Sequence, residues 1–233
     1  MAMNGHRRLM AIVLLGFLAP LAPAKAASEI DRFRSLAIDA PPAARSSAPA
    51  RQLLPAELVA ELRKGGYVLF FRHAATHHDQ DDDRARSLTD CANQRGLSAK
   101  GRAEAAAIGR AFADLNIPVG QALTSPMCRA DETSRLIFGK GEHTNALIGD
   151  PDFSPTDPRR YNALQALFVT PLRVGENLGL SSHGNPFRAV AGLPNIGEGE
   201  MAMIRPRVTD FEIVARVRPD AWPAIVSAAR KAQ

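Results

Sequence analysis

The chain carries a run of five apolar residues, Tyr67-Val68-Leu69-Phe70-Phe71, that stops abruptly at Arg72-His73. A run of strand length without alternation predicts a strand covered on both faces, as in a parallel sheet. Ahead of it, Pro55-Ala56-Glu57 suits a helix first turn, with Leu58, Val59 and Leu62 on one face and Gly65-Gly66 as the break. Behind it, residues 74–96 are polar and acid-rich and read as a surface loop. Helical spacing returns over Ser98–Leu115, where Ala105, Ile108 and Phe112 recur on one face. Gln121–Ser125 is a short strand ended by Pro126, and Arg129–Phe138 a helix with Asp131 and Glu132 in its first turn. Asn145–Ile148 is read as a further strand, and Asp157-Pro158 as the start of a helix reaching Phe168. Asn177–Ser182, Met201–Arg205 and Phe211–Val217 are read as strands, and Ala221–Ala232 as a closing helix. Strands alternating with helices predict an α/β fold, a three-layer α/β/α sandwich around a mainly parallel central sheet.

Composition changes this picture mainly at the N-terminus. His6-Arg7-Arg8, the apolar stretch Leu9–Leu21 and Ala24-Lys25-Ala26 have the order of a cleaved signal peptide. The apolar stretch is shorter than the ~20 residues a spanning helix needs, so no membrane anchor is expected after cleavage. Residues 1–26 are therefore read as leader, 27–53 as an Ala/Pro/Ser-rich linker and 54–233 as the folded domain. The expected location is periplasmic or secreted. Beyond residue 26 the chain holds 26 basic against 24 acidic residues, against a net +5 for the whole. No clustered basic excess remains to track a nucleic-acid backbone. The two cysteines, Cys91 and Cys128, stand in no metal-ligand spacing. An oxidising compartment would let them pair, and two free thiols are the alternative.

The unusual polar residues fall at strand ends. Arg72-His73 closes one predicted strand, Arg129 opens a helix just after a second, and His183 closes a third. Ligands of open α/β sheets bind at the carboxyl ends of the strands. Two guanidinium forks and two imidazoles gathered there suit a tetrahedral anion, because arginine stays charged and grips phosphate bidentately. A central histidine can attack phosphorus and hold the phosphoryl group transiently, while the cations spread charge on the equatorial oxygens. Each residue alone has a bland alternative as a surface salt link or a cap. His77-His78 with the acids of 79–83 are read as a solvated loop rather than a chelate, one that could form a rim of the pocket and influence substrate choice.

Phe71-Arg72-His73-Ala74-Ala75-Thr76 resembles the Arg-His-Gly-x-Thr signature of the histidine phosphatase superfamily, the phosphoglycerate mutase-like group. Ser125 to Thr133 resembles its second motif, Leu97 to Ala105 its Leu-Thr/Ser-x-x-Gly helix start, and Ser182-His183-Gly184-Asn185 its last histidine motif. Gly199-Glu200-Met201 is similar to its Gly-Glu-Ala strand entry. The resemblance implies His73 as nucleophile, Arg72 and Arg129 as phosphate clamps, and His183 as the group completing the pocket. It implies Thr76 at the phosphate site and neither metal nor cofactor. Ala74 replaces the usual glycine, which is tolerable only where φ is negative. The general acid is not marked; Asp152 is the first choice, with Asp150 and Glu200 as rivals. With the leader, the resemblance points to an exported branch acting on a small phosphorylated substrate, an envelope sugar phosphate being the natural guess. The competing reading is a non-catalytic phosphate-binding or interaction module on the same fold. A mutase is disfavoured because its substrates are cytosolic.

Overall fold

The computed structural model describes residues 53–149 and 161–232. The leader, all but the last residue of the 27–53 linker, Asp150, Asp152 and the Asp157-Pro158 helix start lie outside the described residues. Six strands form one sheet: β1 (Val68–Arg72), β2 (Val119–Thr124), β3 (Glu142–His143), β4 (Asn177–Ser182), β5 (Met201–Pro206) and β6 (Phe211–Val217). Their order is β3-β2-β4-β1-β5-β6. The pairs β1–β4, β2–β4 and β2–β3 are parallel, and β1–β5 and β5–β6 antiparallel. The sheet is thus mixed and mostly parallel.

Among the described residues six helices cover it: α1 (Pro55–Lys64), α2 (Ala99–Asp114), α3 (Cys128–Phe138), α4 (Asn162–Val169), α5 (Gly184–Ala191) and α6 (Trp222–Lys231). The strand pleat sorts the apolar run between two cores. Leu69 and Phe71 join α1, α2 and α6 on one face, and Val68 and Phe70 join α4 and α5 on the other. All four side chains have no exposure. At about 1.5–3 kcal/mol for each such burial, β1 is fixed on both faces, and so is the place where its polar end emerges.

Two local expectations are corrected. Asn145–Leu147 is a 3-10 turn, and the strand lies just before it at Glu142–His143. The apolar Ala146-Leu147-Ile148 is explained by Leu147, which packs into the core from that turn. The stretch after His183, for which no helix was expected, forms α5, whose Phe187 and Val190 face the second core.

From β1 the chain crosses to β2 and β3 on one side, and from β4 it crosses to β5 on the other. The connections therefore diverge at the adjacent carboxyl ends of β1 and β4, where open sheets leave a crevice.

Candidate active site

That crevice receives Arg72 and His73 from β1 and His183 from β4. Arg129 comes from the first turn of α3, just past β2. With Asp82 and Arg95 of the long loop, these residues line one cavity of about 710 Å³.

His73 is buried, and its backbone N–H donates to the Ser182 carbonyl at 2.9 Å, which pins the β1 end to the β4 end. Its Nδ1 lies 2.9 Å from the Ala74 carbonyl oxygen. A carbonyl can only accept, so Nδ1 carries the proton. In the neutral ring the Nε2 lone pair is then left free. Burial pushes the His73 pKa well below 6.5; the Ala74 carbonyl opposes this, and the charges of Arg129, Arg72 and Arg95 add to it. His183 is depressed in the same direction by burial, then by His73 and the same three arginines. The two rings meet edge-on with centroids 5.4 Å apart. His183 Nε2 shares a 3.0 Å hydrogen bond with Ser125 Oγ, which fixes its ring. Gly149 packs so close to that ring that a Cβ there would come within 2.8 Å of it.

The two arginines are held from behind. Arg72 donates from Nη1 to the Ile196 carbonyl at 3.1 Å and from Nη2 to Glu198 Oε1 at 3.4 Å. Arg129 donates from Nη1 to Asp82 at 3.0 Å. Burial lowers both guanidinium pKa values, and Glu198 and Asp82 respectively oppose it. The Nε–H groups of Arg72, Arg95 and Arg129 are buried, and none has a partner among the described residues. A buried donor without an acceptor is costly, and three of them lining one cavity point to an anionic guest.

Ala74 fits without strain: among the described residues Asn116 is the one non-glycine residue with positive φ. Its N–H donates to Thr133 Oγ1 at 3.0 Å, tying the second motif to the nucleophile turn. Thr76 does not line the His73 cavity. It stands one layer back, donating to Glu198 from its hydroxyl at 2.9 Å and its N–H at 3.3 Å. It reaches the site only through the carboxylate that also holds Arg72. Glu200 is a structural carboxylate: its two oxygens take Arg216 at 2.7 and 2.8 Å, and one accepts the Gly197 N–H at 2.7 Å. Asp150 and Asp152 lie outside the described residues.

Sequence reasoning missed Arg95 and Glu198, and reached Asp82 only as part of an acidic loop at the rim of the pocket. Their loops carry no periodic signal. Cys91 and Cys128 form a disulfide with Cα atoms 5.6 Å apart, which draws the acidic loop onto the start of α3.

Residues 68–154 match the family described as the histidine phosphatase superfamily (branch 1). That segment contains three of the four residues gathered from the strand ends, His73, Arg72 and Arg129. No functionally curated protein matches the chain. Several solved structures are similar. SixA from Agrobacterium tumefaciens is 18% identical over 66% of this chain and 99% of that one, with a TM-score of 0.46. The mycobacterial glucosyl-3-phosphoglycerate phosphatase, in complex with inorganic phosphate, is 15% identical over 66% and 99%, with a TM-score of 0.48. A phosphoserine phosphatase mutant of Entamoeba histolytica, in complex with phosphoserine, is 12% identical over 64% and 95%, with a TM-score of 0.43.

Proposed function

We propose that this chain, which over residues 68–154 is of the histidine phosphatase superfamily, branch 1, is a phosphatase that hydrolyses phosphomonoesters through a phosphohistidine on His73. One observation carries the reading: a buried imidazole with its Nδ1 proton spent on a carbonyl, lining a cavity with three buried, unpartnered arginine Nε–H donors.

In the first step Nε2 of His73 forms a bond to phosphorus while the bond to the leaving oxygen breaks. The leaving oxygen takes a proton and departs as an alcohol. In the second step water gives a proton to the carboxylate left by the first step, its oxygen bonds to phosphorus, the N–P bond breaks, and the electron pair returns to Nε2. Arg72 and Arg129 meet the equatorial oxygens, where charge is redistributed in the transition state. His183 supports the same group from β4. Asp152 is assigned as proton donor on the resemblance; Gly149, three residues earlier, abuts the His183 ring. Glu200 is set aside because Arg216 occupies its carboxylate. No residue in this scheme needs a metal.

Export is part of the proposal. The leader pattern supports it, and so does the Cys91–Cys128 disulfide, since such bonds persist in oxidising compartments. A small phosphomonoester of that compartment, such as an envelope sugar phosphate, is the substrate class we favour.

The test is hydrolysis of a generic aryl phosphate by the mature chain beside His73→Ala, with chelator present. Turnover that resists the chelator and disappears in the variant supports the reading. Phosphate binding without turnover in the native chain refutes it in favour of a binding module.

A further inference from the structure

Arg95 is absent from every motif quoted above, yet it belongs to the cavity of His73. Its Nε–H is buried and has no partner among the described residues, a condition it shares there with Arg72 and Arg129 alone among the arginines. Its charge is felt by both imidazoles, since it is among the causes depressing His73 and His183. The backbone holds the residue in place: its N–H donates to Asp82 Oδ1 at 2.8 Å, and Asp82 in turn pairs with Arg129.

The segment before it is anchored twice to the start of α3. Cys91 is bonded to Cys128, the residue immediately before Arg129. Gln94 accepts the Cys128 N–H at 3.0 Å, while its amide donates to the Leu88 carbonyl at 2.7 Å and to that of Ser87 at 3.2 Å. Two fixed points, Cys91 and Gln94, bracket the two residues between them immediately before Arg95 and leave it little freedom. Without them the loop 77–96 would have to order its guanidinium on each binding event, at an entropic cost.

We propose that Arg95 is a third phosphate-gripping guanidinium of this site, and that the Cys91–Cys128 disulfide is the strut that positions it beside Arg129. The inference rests on the phosphate-pocket reading above. It extends that reading to a tripodal oxyanion cradle, suited to a phosphomonoester dianion rather than to a singly charged diester.

The experiment is calorimetric titration of the folded, oxidised mature chain with inorganic phosphate and with tungstate, which separates binding from turnover. Arg95→Gln is expected to weaken both anions by about 10- to 100-fold, the range for a lost charge-assisted hydrogen bond. Arg95→Lys, which keeps charge without the fork, should fall between. Arg84→Gln, on the same loop but lining a neighbouring cavity, should leave affinity unchanged. The Cys91→Ser/Cys128→Ser variant should weaken binding in the same direction, and should add little to Arg95→Gln when the two are combined. Gln94→Met, which removes the amide clamp and spares the disulfide, gives the same readout should the double serine variant not fold. Native affinity retained in Arg95→Gln overturns the proposal. Full additivity of the disulfide and Arg95 variants overturns the strut. Failure of the native chain to bind either anion overturns the pocket reading itself.

Discussion

Replacing Arg129 by Gln removes the charge and the guanidinium fork of one proposed clamp and leaves a shorter polar side chain with two N–H donors. The Arg129 side chain is 7% exposed, so its charge acts in a medium far less screening than water. At an effective dielectric near 20, a unit charge about 4 Å from a developing oxyanion is worth ~4 kcal/mol, less what returning water recovers. A net loss of about 2–4 kcal/mol corresponds to roughly a 30- to 1,000-fold fall in kcat/KM. The folding cost should be smaller, because the abandoned Asp82 carboxylate is 35% exposed and water can cover it. The substitution also lifts one of the fields that depress His73, so that ring's pKa should rise toward its ordinary value. Aryl phosphate kinetics and a thermal melt, run on Arg129→Gln and Arg129→Lys, check both effects. Arg129→Gln that stays folded with kcat/KM within about threefold of the native chain would refute the clamp role.

Other consequences can be read without that substitution. NMR titration of the imidazoles should place both His73 and His183 below the ordinary 6.5, because burial disfavours their charged forms. The linked stability has a definite sign. Below 6.5 the unfolded chain takes up protons that these folded rings refuse, so their contribution to stability is present above that pH and falls as pH drops toward their folded values. Denaturant melts of the native chain from neutral to acidic pH read it. Gly101→Ala would set a Cβ 2.0 Å from the Ala75 carbonyl oxygen, two residues past the nucleophile. Its melting temperature should fall by roughly 3–10 °C, with activity declining alongside. If Asp152 is the proton donor as proposed, Asp152→Asn should slow alkyl phosphates far more than aryl phosphates, whose leaving groups need less help. Glu200→Gln should instead lower stability and leave the ratio of the two substrates unchanged.

The central sheet was legible because its apolar runs are long and its breaks are Gly and Pro. Both faces of β1 are buried, and that is what an unalternating Val68–Phe71 run encodes. The helix α5 escaped because its eight residues begin with Gly184, Asn185 and Pro186, which read locally as a turn; packing of Phe187 and Val190 makes it a helix. In the site, residues at strand ends could be placed from sequence, since strand position fixes where a side chain emerges. Arg95 could not, and Asp82 only as one of several acids on a loop at the rim. They reach the cavity through a loop held by Gln94 and by the Cys91–Cys128 bond, contacts that span 34 and 37 residues and leave no local pattern. Thr76 was placed at the phosphate by resemblance alone; in the structure its hydroxyl donates to Glu198, which also holds Arg72.

The most direct measurement is rapid mixing of the mature chain with an aryl phosphate, alkaline quench to preserve acid-labile phosphohistidine, and peptide mass analysis. We expect one phosphoryl group on His73, formed and lost fast enough to account for turnover, and absent in His73→Ala. Turnover with no phosphoryl group on His73, or turnover that persists in His73→Ala, would contradict the account.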